Sequence, residues 1–169
     1  MLTLLKTLFQ PKKTNAALAW QHAGNDAGVR YWLFAAPVHL VLQRDSFSLA
    51  EPAPLPLQHD ECDALTSALN QHFCTDDMQF FWHETTWFLS LKINPNIQTM
   101  PLQSVINKDI HAFLPTGEGA MQWAIFQNEI QMLLFNHPVN LAREANKLPP
   151  VNSIWCYGLG FIENNKNAN

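Results

Sequence analysis

The densest polar chemistry of the chain lies between Asn128 and Ser153, where Asn128, Glu129, His137, Asn140, Arg143, Asn152 and Ser153 occur within one stretch. Arginine, asparagine and imidazole together form a set that grips carboxylate or phosphate, with the guanidinium as a planar fork and the amides as neutral donors. At helical spacing His137, Asn140 and Glu144 share one face, and Arg143 follows Asn140 at i+3. Asn128 falls within an apolar arc of the preceding helix, and a buried amide must find partners or cost about 1–3 kcal/mol. Two outcomes stay open: a site for a small anionic ligand, or a polar network that pins two helices to a strand. A second group, His39 with Arg44 and Asp45, surrounds a short turn between apolar runs and reads as a hairpin closed by an ion pair.

Other chemistry is absent from the sequence. Seven histidines invite a metal, but no two stand at i, i+4, and the zinc-protease pattern H-E-x-x-H does not occur, so no metal is expected. No serine occupies a G-x-S-x-G elbow. Gly158-Leu159-Gly160 lacks the third glycine and the following helix of a dinucleotide loop and reads as a strand-ending turn, so no cofactor is expected. Thr116-Gly117-Glu118-Gly119 precedes a long helix and reads as its cap. Cys62, Cys74 and Cys156 are odd in number and widely spaced, which points to free thiols in a reducing compartment and a cytoplasmic home.

Charge narrows the partners. The net charge is −4, and from Asp45 to Leu91 there are eight acidic residues and no Lys or Arg. Such a surface does not displace counterions from nucleic acid, so direct binding of DNA or RNA is not expected. Only 14% of the 169 residues are charged and 47% are hydrophobic, with six Trp and eleven Phe. A chain so poor in charge buries much of itself or hides an apolar face in a partner, and homodimerisation follows as an expectation. The N-terminal run Met1–Gln10 is interrupted by Lys6 and lacks a small-residue cleavage site, and no run reaches the length of a membrane helix. Neither a signal peptide nor membrane association is expected.

The elements that would position these groups read as follows. Residues 1–9 form a short helix and 12–28 a linker. Residues 31–35, 38–43 and 47–49 are strands, the last two a hairpin. Three prolines keep 50–57 irregular. Asp60–Phe73 repeats apolar residues at three and four, with acids in its first turn, and is a helix. Residues 78–83 and 87–92 form a second hairpin, and 101–106 and 108–113 are short helical turns. Residues 120–136 form the longest helix. One of its apolar arcs holds Met121, Ala124, Ile125, Met132 and Phe135, and the other holds Trp123, Phe126, Ile130, Leu133 and Leu134. Two apolar arcs predict packing on two sides, as the central helix. Pro138 opens a further helix to about Asn146, and 153–157 is a final strand. The fold class is α+β: an antiparallel sheet of hairpins packed against a long central helix and several shorter ones. In domain terms residues 1–28 are a leading helix and linker, 29–161 a single α+β domain and 162–169 a frayed tail.

Two strings carry a resemblance. Ala36-Pro37-Val38-His39-Leu40 with Arg44-Asp45, and Asn128-Glu129-Ile130-Gln131-Met132-Leu133 through His137-Pro138-Val139-Asn140, Arg143, Val151-Asn152-Ser153, Trp155 and Gly158-x-Gly160, resemble the bacterial RpfE-type regulatory proteins from about Trp32 to Gly160. That resemblance implies a regulatory role of undefined biochemistry. His137-Pro-Val-Asn140, Arg143, Pro150-Val-Asn152 and Gly158-x-Gly160, about 25 residues, also look like a stretch of the archaeal-type cofactor-independent phosphoglycerate mutases. Those enzymes need a nucleophilic serine and two metal ions held by Asp and His clusters. The chain shows no matching clusters and is too short for that fold, so mutase activity is not carried over. The expectation is a non-enzymatic regulatory or small-anion-binding domain. Its rivals are a phosphoryl-transfer enzyme and a homo-oligomeric interaction scaffold.

Overall fold

In the computed structural model, residues 15–75 and 77–163 are described. The expected helix over 1–9 lies outside them. Four strands form one antiparallel sheet in the order β4-β5-β1-β6: β1 Tyr31–Val38, β4 Met78–His83, β5 Thr86–Leu91 and β6 Ser153–Phe161. The short hairpin of β2 (Leu40–Leu42) and β3 (Phe47–Leu49) stands apart from it. The helices are α1 Ala16–His22, α2 His59–His72, α3 Ala120–Phe135 and α4 Pro138–Ala145, with two 3₁₀ turns at Leu102–Ser104 and Ile110–Phe113. The class is α+β with every pair of strands antiparallel, β4 and β5 joined by the short turn between their aromatic runs.

Alternation along the strands builds two layers. Leu33, Ala35, Phe80, Leu89, Ile154 and Cys156 face one side, where α2 contributes Leu65 and Leu69 and α3 contributes Trp123, Phe126, Ile130 and Leu134. Trp32, Phe34, Phe81 and Phe88 face the other side and meet α1. There Trp20 stacks on Trp32 with ring centroids 4.8 Å apart. The stretch 12–28 is therefore not a linker throughout. Its apolar Ala16, Ala17 and Trp20 form a helix that covers the second face of the sheet. Periodicity over seven residues was too short a signal to reveal it.

Two further expectations are corrected. The last strand continues to Phe161, straight through Gly158 and Gly160, rather than ending in a turn there. A Cβ at Gly158 would lie 2.7 Å from the Phe34 ring, and one at Gly160 would lie 2.2 Å from Asn15 Oδ1. The glycines let the strand pass beneath the first turn of α1, whose N-cap is Asn15. The second correction concerns α3. Its inner arc is buried, Ile130 at 0% and Leu134 at 1% exposure, but the outer arc is packed against nothing among the described residues. Met121 (77%), Ile125 (49%), Met132 (78%) and Phe135 (77%) stand in solvent. The helix lies on one face of the sheet and has one packed side.

The segment Thr116–Gly119 enters α3 as expected, although without a side-chain cap. Its glycines serve packing: a Cβ at Gly119 would sit 1.8 Å from the Pro95 carbonyl oxygen. The Gly119 N–H donates to the Asn96 carbonyl at 3.0 Å.

Candidate functional site

The polar cluster converges on one piece of backbone, the run Pro149–Ser153 that leads from α4 into β6. Asn140 is 2% exposed on α4. Its Nδ2 donates to the carbonyls of Leu134 (2.8 Å) and Val151 (2.7 Å), and its Oδ1 accepts the Val151 N–H at 2.7 Å. Asn152 uses its side-chain amide as a strand would use its backbone. Oδ1 accepts the Leu40 N–H at 2.7 Å, and Nδ2 donates to the Leu40 carbonyl at 2.8 Å. His39 Nδ1 lies 2.9 Å from the Pro150 carbonyl, so that nitrogen carries the ring hydrogen. Ser153 Oγ accepts a long bond from Gln131 Nε2 at 3.5 Å. In this way α3, α4 and the β2 region all hold one connection.

Arg143 completes the network from within the chain. It is 5% exposed. Its Nε donates to the Pro149 carbonyl at 2.8 Å, and its Nη1 sits 2.9 and 3.0 Å from the two carboxylate oxygens of Glu61. Glu61 is also the third helical residue of α2 and accepts the Gln58 N–H at 2.8 Å, half of a capping box. The carboxylate suited to this guanidinium is thus supplied by the chain itself. An external anion would have to displace Glu61 from a largely buried position.

His137 adjoins the cluster as the N-cap of α4. Its Nδ1 accepts the Val139 N–H at 3.2 Å, so its hydrogen is on Nε2. Burial holds its pKa below the ordinary value of 6.5.

Asn128 and Glu129 do not join the network. Asn128 is exposed at the middle of the outer arc of α3, not buried as its place among apolar residues implied. Glu129 points toward α2 and meets His72 Nε2 at 3.1 Å. Arg44 and Asp45 are exposed in the β2–β3 turn, and the expected ion pair between them does not form; the turn is instead closed by Gln43 donating to Ser48 Oγ at 3.1 Å. Sequence reasoning missed Glu61 as the partner of Arg143. The Gln58-x-x-Glu61 spacing could have shown its capping role, but nothing local announces a contact 82 residues away. It also missed Gln131.

Among the described residues, no three His, Cys, Asp or Glu side chains come together in a way that could hold a metal. Nor is any helix among them long and apolar enough to cross a membrane. One buried polar atom is left over: the Trp123 indole N–H has no partner in this set. Cys156 is enclosed on β6 beside Gln127 Nε2, 4.0 Å away, and burial pushes its thiol up to about 12.

Comparison with known proteins points one way. No family model matches the chain. It is 24% identical over 108 residues to the 2,3-bisphosphoglycerate-independent phosphoglycerate mutase of Methanosarcina mazei, covering 62% of this chain and 27% of that protein. It is 31% identical over 98 residues to a probable enzyme of the same name from Geobacter sulfurreducens, covering 57% and 25%. Among solved structures, the cofactor-independent phosphoglycerate mutase of Thermoplasma acidophilum superposes with a TM-score of 0.56 at 13% identity, over 79% of this chain and 37% of that one. The likeness therefore extends well beyond the 25 residues of the shared motif, which corrects that extent, while the chain, as expected, is too short for the whole mutase fold and matches only a portion of it. It spans about a quarter of the length of the curated relatives it matches. The chain is weakly homologous to part of the cofactor-independent phosphoglycerate mutases and shares the fold of that part.

Proposed function

We propose that this chain is a non-catalytic, mutase-like α+β module that works by holding a protein against the outer face of α3. The observation that carries the proposal is that face. Met121, Met132 and Phe135 are each more than three-quarters exposed on a sixteen-residue helix whose other side buries Trp123, Phe126, Ile130 and Leu134. Large apolar side chains clustered on a folded surface favour covering by another protein. Beside them runs an apolar groove of about 610 Å³ between α3 and the β2–β3 hairpin, lined by Leu40, Phe47, Ile110, Leu114, Ala124 and Phe135. A regulatory role of the kind implied by the RpfE-type resemblance needs such a surface and no turnover. The anion-binding alternative fits the geometry less well, since Glu61 already occupies the Arg143 guanidinium.

The test is photo-crosslinking in the cell. A benzophenone amino acid at Met132 is expected to yield a discrete protein adduct, while one at Val29, 68% exposed before β1, yields none. Absence of any adduct from Met132 removes the proposal.

The names of the curated relatives favour one rival, phosphoryl transfer by this chain. It predicts Mn²⁺- or Mg²⁺-dependent interconversion of phosphoglycerates, and no turnover with either ion disposes of it.

A further inference from the structure

Building on the proposed interaction face, we infer that its occupant is a second copy of this chain, with the two α3 helices packed on each other and Asn128 of one copy beside Asn128 of the other. The spacing of the exposed side chains carries this. Met121, Asn128 and Phe135 recur at intervals of seven, and Ala124, Ile125 and Met132 fall between them. That is the seam pattern of two packed helices over two heptads, read here on the side of α3 that faces away from the sheet. Asn128 stands midway, seven residues from Met121 and seven from Phe135. A twofold axis at that point pairs each half of the stripe with a copy of the stripe. One amide in an otherwise apolar seam fixes register, because it finds its donor and acceptor only in the same amide of a like helix.

Charge agrees with self-association. The sole charged residue of α3 is Glu129, which turns aside to His72 on α2. The seam is neutral, so two copies meet without like-charge repulsion, and the flanking Gln122 and Asn136 each carry both a donor and an acceptor. The size also fits. Met121, Ile125, Met132 and Phe135, with Phe47 and Leu114 lining the groove beside them, expose on the order of 800 Å² of mostly apolar surface, about what each partner buries in a stable interface. Because α3 is already folded against the sheet, its backbone ordering is not charged to association.

Sedimentation of the intact chain decides it. The wild type is expected to shift with concentration from its 19.2 kDa monomer to twice that mass. Met132→Glu is expected to weaken that association by more than about 30-fold, with an unchanged thermal melt of the dilute monomer. Val29→Glu leaves the association intact. In a Cys74→Ser background, which removes the exposed thiol, Asn128→Cys is expected to give a disulfide-linked dimer on treatment with diamide. A wild type that stays monomeric at every soluble concentration overturns the inference, as does a dimer that Met132→Glu does not weaken or Asn128→Cys does not cross-link. If the Met132 photo-adduct proves to be a different protein, the interaction face stands and self-association falls. No adduct together with a monomeric chain removes both.

Discussion

Glu61, in the first turn of α2, and Arg143, in the last turn of α4, meet at 2.9 Å across 82 residues of chain. This contact ties two helices together and at the same time engages the guanidinium of the polar cluster. Glu61 serves both α2, through its cap on Gln58, and α4, through Arg143. The two stabilisations are therefore coupled. Arg143→Ala is expected to lower unfolding free energy by about 3 kcal/mol, because it strands a mostly buried carboxylate and the Pro149 carbonyl. In a urea-unfolding double-mutant cycle, Glu61→Ala combined with Arg143→Ala should cost clearly less than the sum of the single changes. Strict additivity would show that the pair does not interact.

The same contact governs ligand response. Inorganic phosphate is expected to leave the thermal melt of the wild type where it is, and Arg143→Ala to melt lower with equally little response. A phosphate-dependent stabilisation that Arg143→Ala abolishes would show that Glu61 yields to an anion.

Asn140 offers a test that distinguishes donors from acceptors. Asn140→Asp keeps the shape and the acceptor for the Val151 N–H but cannot donate to the carbonyls of Leu134 and Val151. It is expected to destabilise by about 3 kcal/mol in urea unfolding near neutral pH, comparable to Asn140→Ala. A variant with aspartate as stable as the wild type would mean that those two bonds contribute nothing.

Acid should weaken the fold partly through His137. Burial favours its neutral form in the native state, and the neutral Nδ1 is what accepts the Val139 N–H at the start of α4. The unfolded chain thus binds this proton more readily, so stability falls as pH drops below about 6.5 and is fully retained above it. His137→Asn, which keeps a capping side chain, is expected to show a smaller loss of melting temperature on acidification than the wild type. An identical loss would place the acid sensitivity elsewhere.

Thiol chemistry should separate the cysteines. Cys156 is enclosed and its thiol is pushed up to about 12 by burial, whereas Cys74 is exposed. Iodoacetamide on the native chain is expected to modify Cys74 and to leave Cys156 untouched until unfolding, as read by mass spectrometry. Alkylation of Cys156 at the rate of Cys74 would mean that β6 opens readily.

What the chain itself spells out is the part of the fold that local chemistry decides. The period-two aromatic runs of β4 and β5, the capped apolar face of α2, the two arcs of α3 and the proline that opens α4 are all signals carried by a few neighbouring residues. The grouping of Asn140, Arg143, Asn152 and Ser153 was legible too, because the four lie within fourteen residues, whereas His39, read as part of a separate turn, joins them only through its contact with the Pro150 carbonyl. What tertiary structure alone decided is what those groups face. Arg143 meets Glu61, Asn140 clasps the backbone of Val151, Asn152 clasps that of Leu40, and Asn128 lies in solvent. Likewise a helix with two apolar arcs specifies two burials but not their partners. The sheet takes the inner arc, and the outer one stays exposed among the described residues, since amphipathic pattern encodes a demand for burial and only long-range packing assigns what meets it.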